Sequence, residues 1–124
     1  MKKRNLIITA ILGMLTVILG AFGAHSLKEI LSPEALNSFE TAVRYQMYHV
    51  IVLLLVNMYG NFSVKTKNNI SILFFMGILF FSGSIYAITM ANITAKSIWF
   101  ITPLGGLILI LGWIKLSISF FKDK

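Results

Sequence analysis

Between Leu6 and Ala24 the chain runs nineteen residues without a charged side chain, and this stretch decides the solvent. A bilayer core about 30 Å thick is crossed by about 20 helical residues, so the run is long enough for a membrane span. Ile70–Ala91 repeats the pattern with no charge, and Ile98–Phe120 repeats it with Lys115 alone. A fourth apolar run, Val50–Tyr59, is short and follows the polar string Phe39–His49, FETAVRYQMYH. The whole chain is 57% hydrophobic and 12% charged, with a mean hydropathy of +0.85. Those values lie outside the range of a soluble domain. They predict an all-α, polytopic membrane protein, a single domain over 1–124 with four transmembrane helices at about 6–24, 45–60, 70–91 and 98–120. The first run also has the basic start and small-residue end (Gly20-Ala21-Phe22-Gly23-Ala24) of a cleaved signal peptide. It exceeds the roughly 7–15 apolar residues typical of such a leader, and further spans follow.

Local signals set the boundaries. Ser32-Pro33-Glu34 reads as a cap, a proline at the first helical position and an acid in the first turn. The second helix then continues without a breaker through Tyr59 to Gly60. Its first turns are amphipathic and suit the interface, while its apolar remainder crosses. Asn61–Asn69 and Asn92–Ser97 are the other links. Thr102-Pro103-Leu104-Gly105-Gly106 predicts a broken or kinked start to the last span. Small residues recur at helical spacing: Ala10, Gly13, Val17, Gly20 and Ala24; Gly77, Ser84 and Ala91; Gly105 and Gly112. Such seams let helices approach closely where lipid removes the hydrophobic drive.

Eleven basic residues against four acids give a formal charge of +7. No basic stripe with interleaved aromatics exists to follow a phosphate backbone, which excludes nucleic acid as a partner. Lys2, Lys3, Arg4, Lys65, Lys67, Lys122 and Lys124 flank one side of the four spans, and Lys28, Arg44 and Lys96 the other. That bias predicts a cell-membrane protein with both termini cytoplasmic. Trp99, Trp113, Tyr48, Tyr59 and Tyr86 suit an interfacial aromatic belt. With no cysteine, disulfides and thiol chemistry are excluded.

The chemistry-bearing residues gather in the second helix. Glu40, Arg44 and Tyr48 fall on one helical face and Tyr45 and His49 on the neighbouring strip, which predicts a polar cluster converging on one side, with Gln46 completing it and His25 approaching from the first helix. Glu40 and Arg44 have the favourable i, i+4 order for an ion pair. Gln46 and Asn57 share a face suited to bonding a neighbouring helix. Two histidines and a glutamate fall short of a metal site, because no third or fourth close-spaced ligand accompanies them. No cofactor motif is present.

Four segments carry a family resemblance: GAFGAH with Leu27-Lys28, at 20–28; FETAVRYQMYH at 39–49; GILFFSGSIY at 77–86; and ITPLGG through Gly112-Trp113. The chain resembles the YgdD/YwdK family of small bacterial inner-membrane proteins (domain of unknown function 423). The resemblance implies a four-helix membrane protein of about this length and supplies no reaction. The residues therefore favour a non-enzymatic protein that assembles with itself or other membrane components in the bilayer. The alternative is a small oligomeric transporter or channel using Glu40, Arg44 and His49. A third is an intramembrane enzyme using His25, His49 and Glu40.

Overall fold

A computed structural model describes residues 2–91 and 98–122. The link 92–97, with Lys96, lies outside the described residues. Four long helices follow one another: α1 (Lys2–His25), α2 (Pro33–Met58), α3 (Val64–Met90) and α4 (Ile101–Lys122), with a short 3-10 turn at Leu27–Glu29 between the first two. α1, α3 and α4 are long and apolar enough to cross a membrane. α2 is as long, at 26 residues, but its first half carries Glu34, Glu40 and Arg44.

The helix starts follow local chemistry. Ser32 is extended (φ −62°, ψ 160°) and its Oγ accepts from the Ala35 N–H at 3.1 Å, with Pro33 in the first helical position. Ser63 does the same for α3, accepting from Thr66 N–H at 3.1 Å. The break expected at Pro103, Gly105 and Gly106 is not there: α4 runs unbroken from Ile101. Pro103 sits in the first turn, where its missing N–H has no intrahelical partner to lose.

α2 and α3 form the central pair, with α1 mainly against α2 and α4 mainly against α3. The α3–α4 seam uses the expected small residues. Gly77 lies against Leu109, Gly105 against the backbone of Phe80 and Phe81, and Gly112 against the Phe74 ring. Ser84 and Thr102 share a hydroxyl hydrogen bond across the same interface, while Ala91 is exposed.

The α1 seam is rotated from the expected one. Gly13 faces Val50 and Gly20 faces Val43, but Ala10, Val17 and Ala24 point outward, Val17 being 64% exposed. Asn5, Thr9 and Thr16 are buried in their place. Thr9 and Thr16 fold their hydroxyls back onto the carbonyls of Asn5 and Leu12, both at 2.7 Å. A threonine so bonded hides its polarity and packs as a small residue.

Candidate functional site

The polar string on α2 divides between the two sides of the helix, so the expected convergence does not occur. Glu40, Arg44, Tyr45 and Tyr48 are exposed, whereas Phe39, Ala42, Gln46 and His49 are buried. Gln46 and His49 lie three apart and Gln46 and Ala42 four apart, so these share the inward face, while the 40–44–48 strip lies across the helix from it. Arg44 donates to Thr41 Oγ1 at 3.1 Å, one turn back, rather than to Glu40. Tyr45 stands between the two faces, its ring against Phe81 (5.1 Å between centroids) and stacked on His49 (6.4 Å).

His25 ends α1 and is exposed. Gly23, two residues earlier, packs on Phe39, and His49 lies ten residues, about 15 Å, further along α2. The two histidines therefore do not meet. Among the described residues no three His, Cys, Asp or Glu side chains group as a metal site.

What the inward face does is tie helices together. Gln46 Nε2 donates to the Leu12 carbonyl of α1 at 3.1 Å, and its Oε1 accepts from the Tyr86 hydroxyl of α3 at 2.7 Å. One amide thus joins three helices. Trp113 Nε1 donates to His49 Nε2 at 3.0 Å, and His49 Nδ1 lies 2.7 Å from the Tyr45 carbonyl. Indole nitrogen can only donate, so Nε2 is the acceptor and Nδ1 carries the proton. His49 is the neutral tautomer with both ring nitrogens engaged, and to ligate a metal it would have to surrender one bond. Trp113, expected in the interfacial belt, lies about 18 Å from the start of α4, near mid-helix, because it answers His49. Ser82 Oγ adds a further tie, donating to the Ala42 carbonyl at 2.7 Å.

A second cluster sits at the end of the bundle where the chain begins. Asn5 Nδ2 donates to Asn57 Oδ1 (3.0 Å) and to Asn68 Oδ1 (2.8 Å), while Asn57 Nδ2 donates to Ser71 Oγ (2.8 Å) and to its own-helix Leu53 carbonyl (2.9 Å). Sequence reasoning singled out Asn57 as a helix-facing residue and missed Asn5, Asn68 and Ser71. The available signal was Asn5 beside the basic cap and the Asn68-Asn69 pair, both of which read as link polarity. Among the described residues, no buried side-chain nitrogen or oxygen lacks a hydrogen bond.

Residues 19–106 match the family described as "Protein of unknown function (DUF423)". The chain is 40% identical over 120 residues to a UPF0382 membrane protein of Staphylococcus haemolyticus, covering 97% of each. It is 39% identical over 124 residues to a UPF0382 membrane protein of Haemophilus influenzae, covering all of this chain and 98% of that one. The chain belongs to this family. No solved structure matches it. In this member of the membrane-protein family, the matched residues hold Gln46, His49, Asn57, Asn68, Ser71 and Tyr86, but end before Trp113 and begin after Asn5 and Leu12. The ties therefore reach beyond the matched segment at both ends.

Removing one partner gives a modest, measurable effect. Tyr86→Phe deletes the hydroxyl from Gln46 Oε1 while keeping the ring against Phe39, 5.4 Å away. Interhelical hydrogen bonds in membranes average about 0.6 kcal/mol, so unfolding in mixed detergent should shift by about that amount. A shift above roughly 2 kcal/mol would mean that the hydroxyl anchors more than this bond, since about 1.7 is the largest seen for such bonds.

Proposed function

We propose that this is a non-enzymatic cell-membrane protein that acts by assembling, and that its assembly surface is the outer strip of α2: Glu40, Arg44 and Tyr48. The observation that carries the reading is a contrast. Among the described residues, buried side-chain polar groups are satisfied, while Glu40 and Arg44 face outward from α2, on the side away from the inward face that meets α1 and α3. A charged side chain in the hydrocarbon costs about 2.5–3.5 kcal/mol at the centre and less toward the interface, and pairing with an opposite charge relieves it. Glu40 and Arg44 are one turn apart. Two copies related by a twofold axis along the membrane normal would set each Glu40 beside the partner's Arg44, a self-complementary contact.

α2 crosses the membrane with its neighbours in this reading. Its start lies beside the end of α1 through Phe39 and Gly23, and its end beside the start of α1 through Asn57 and Asn5. It thus spans the same length as α1. The basic residues favour cytoplasmic termini, since Lys3, Arg4, Lys65, Lys67, Lys115 and Lys122 share one end while, among the described residues, Lys28 and Arg44 belong to the other. Supporting a non-enzymatic role, His49 has both nitrogens occupied by structural bonds.

The absence of native cysteine makes the test clean. Tyr48→Cys in lipid vesicles should crosslink to a dimer with a short bismaleimide, and Leu107→Cys on the outer side of α4 should not. Glu40→Arg or Arg44→Glu alone should abolish the crosslink, and the two together should restore it. A protein that stays monomeric in lipid, with no crosslink at position 48, would overturn the reading.

A further inference from the structure

At the end of the bundle bearing the chain start, two recesses share Phe62 as a wall. One is an open apolar groove of about 480 Å³ between α2 and α4, lined by Val52, Leu55, Val56, Trp113, Leu116 and Phe120 among others. The second is a polar cleft of about 450 Å³ between the start of α3 and the end of α4, lined by Asn61, Ser63, Thr66, Lys115, Ser119 and Lys122 with Phe62 and Ile118. Phe62 is buried, in ring contact with Tyr59 (4.7 Å) and Phe120 (5.0 Å), so it separates the recesses at the bundle surface.

The charges around the cleft are one-sided. Lys115 and Lys122 line it, Lys3, Arg4, Lys65 and Lys67 belong to the same end, and among the described residues no carboxylate accompanies them. The three glutamates belong to the opposite end, and Asp123 lies outside the described residues. Lys115 stands seven residues, about 10 Å, inside the end of α4. A lysine at that depth must run its ammonium toward the interface, and the cleft is where it can do so. Ser119 Oγ is committed to the Lys115 carbonyl at 2.7 Å, and Ser63 Oγ donates to Thr66 Oγ1 at 3.0 Å. Thr66 keeps its own hydroxyl proton to give.

We propose that this end of the bundle binds one anionic phospholipid. Its phosphate sits in the cleft against Lys115, Lys122 and the Thr66 hydroxyl, and one acyl chain lies past Phe62 in the apolar groove between α2 and α4. Among the described residues the cleft supplies cations without acids, the groove supplies an open apolar trough, and the shared wall places a headgroup beside a chain. Anionic lipids concentrate in the cytoplasmic leaflet, the side on which the termini are proposed to lie. The site is independent of the α2 strip, whose residues line neither recess.

Trp113 lies in the groove, which provides the readout. Trp99→Phe leaves it as the one tryptophan of the chain, which has two. That variant, in phosphatidylcholine vesicles carrying a minor fraction of phosphatidylglycerol brominated mid-chain, should be quenched well beyond the level reached when the bromine is carried by phosphatidylcholine. A lysine near an anionic surface is worth about 1 kcal/mol, so Lys115→Ala and Lys122→Ala should each lower the apparent preference about fivefold. Lys115→Arg should retain most of it. Lys65→Ala, exposed outside the cleft, should change it little. Equal quenching by both brominated lipids would overturn the proposal, as would an equal loss at Lys65. Relief of quenching by soluble glycerol phosphate, with no chain preference, would mean a free phosphate site and would also overturn it.

Discussion

Gly105→Ala is expected to destabilise the protein by about 3 kcal/mol, at the top of the range for overpacking, and to do so by prising α4 from α3. A Cβ built on Gly105 would collide with the backbone nitrogen of Phe81 and come within 2.6 Å of the Phe80 carbonyl carbon. These are helix backbone atoms, which cannot swing aside as a side chain does. The neighbouring glycine gives the control. A Cβ on Gly106 would meet only Phe81 Cδ1, at 3.8 Å, an ordinary contact. Gly106→Ala should therefore be neutral or stabilising by up to about 1 kcal/mol, since alanine is the better helix former. Gly77→Ala falls between them: its Cβ would reach the Leu109 side chain, with Cγ at 2.6 Å, and the Leu109 backbone nitrogen at 3.1 Å. Leucine can partly repack. Unfolding titrations of the three variants in mixed detergent test the order. If Gly105→Ala and Gly106→Ala unfold together, the close approach of α3 and α4 at this point is wrong.

How much of this was legible in the sequence depends on which physical signal carried each part. Helix limits were legible in part: Ser32, Pro33 and the turn after Tyr59 mark α2, whereas the Ser63 cap starts α3 at Val64, inside the Asn61–Asn69 stretch expected to be a link. The α3–α4 seam was legible because close helix contact tolerates only small residues, and Gly77, Gly105 and Gly112 are the glycines where an added Cβ would crowd the facing helix.

The rotation of α1 was not legible. In water the apolar stripe marks the core, but in lipid both faces of a helix are apolar. Small size alone could not distinguish Ala10 and Val17, which point out, from Thr9 and Thr16, which point in. The supposed convergence on α2 failed for a related reason. Helical spacing places Glu40, Arg44 and Tyr48 on one strip, but it does not say whether that strip faces the bundle. Burial belongs instead to the uncharged hydrogen-bonding side chains, Gln46 and His49, which can be fully satisfied by helix carbonyls, a tyrosine and a tryptophan. A charged pair would cost more there. Pro103 misled because proline and glycine read as breakers, while in the first turn of α4 the proline is harmless and Gly105 is a contact point.

The hydrogen bonds that tie α1 to its neighbours govern how the bundle comes apart. α1 is held at two levels about 10 Å apart: Asn5 to Asn57 and Asn68, and the Leu12 carbonyl to Gln46. Asn57→Leu keeps a branched side chain of similar reach but removes the acceptor for Asn5 and the donor to Ser71. Asn5 keeps Asn68, and Ser71 can turn to a carbonyl of its own helix, so neither is left wholly unpaired. The expected loss is about 1–2 kcal/mol, two interhelical bonds at the upper part of the membrane range. Gln46→Leu should cost about 1 kcal/mol by the same reasoning, as it frees Tyr86 and leaves Leu12 O to Thr16. Combined, the two remove the α1–α2 bonds at both levels and leave Asn5–Asn68 as the remaining tie of this set, so α1 should loosen against α2 while α2, α3 and α4 stay joined through the glycine seam and the His49–Trp113 bond. A cysteine pair at Gly20 and Val43, which face each other at 3.5 Å when a Cβ is built on Gly20, should crosslink readily in the parent and poorly in the double variant. The Trp113 emission should meanwhile stay unchanged. If crosslinking survives the double variant, packing rather than hydrogen bonding holds α1 in place.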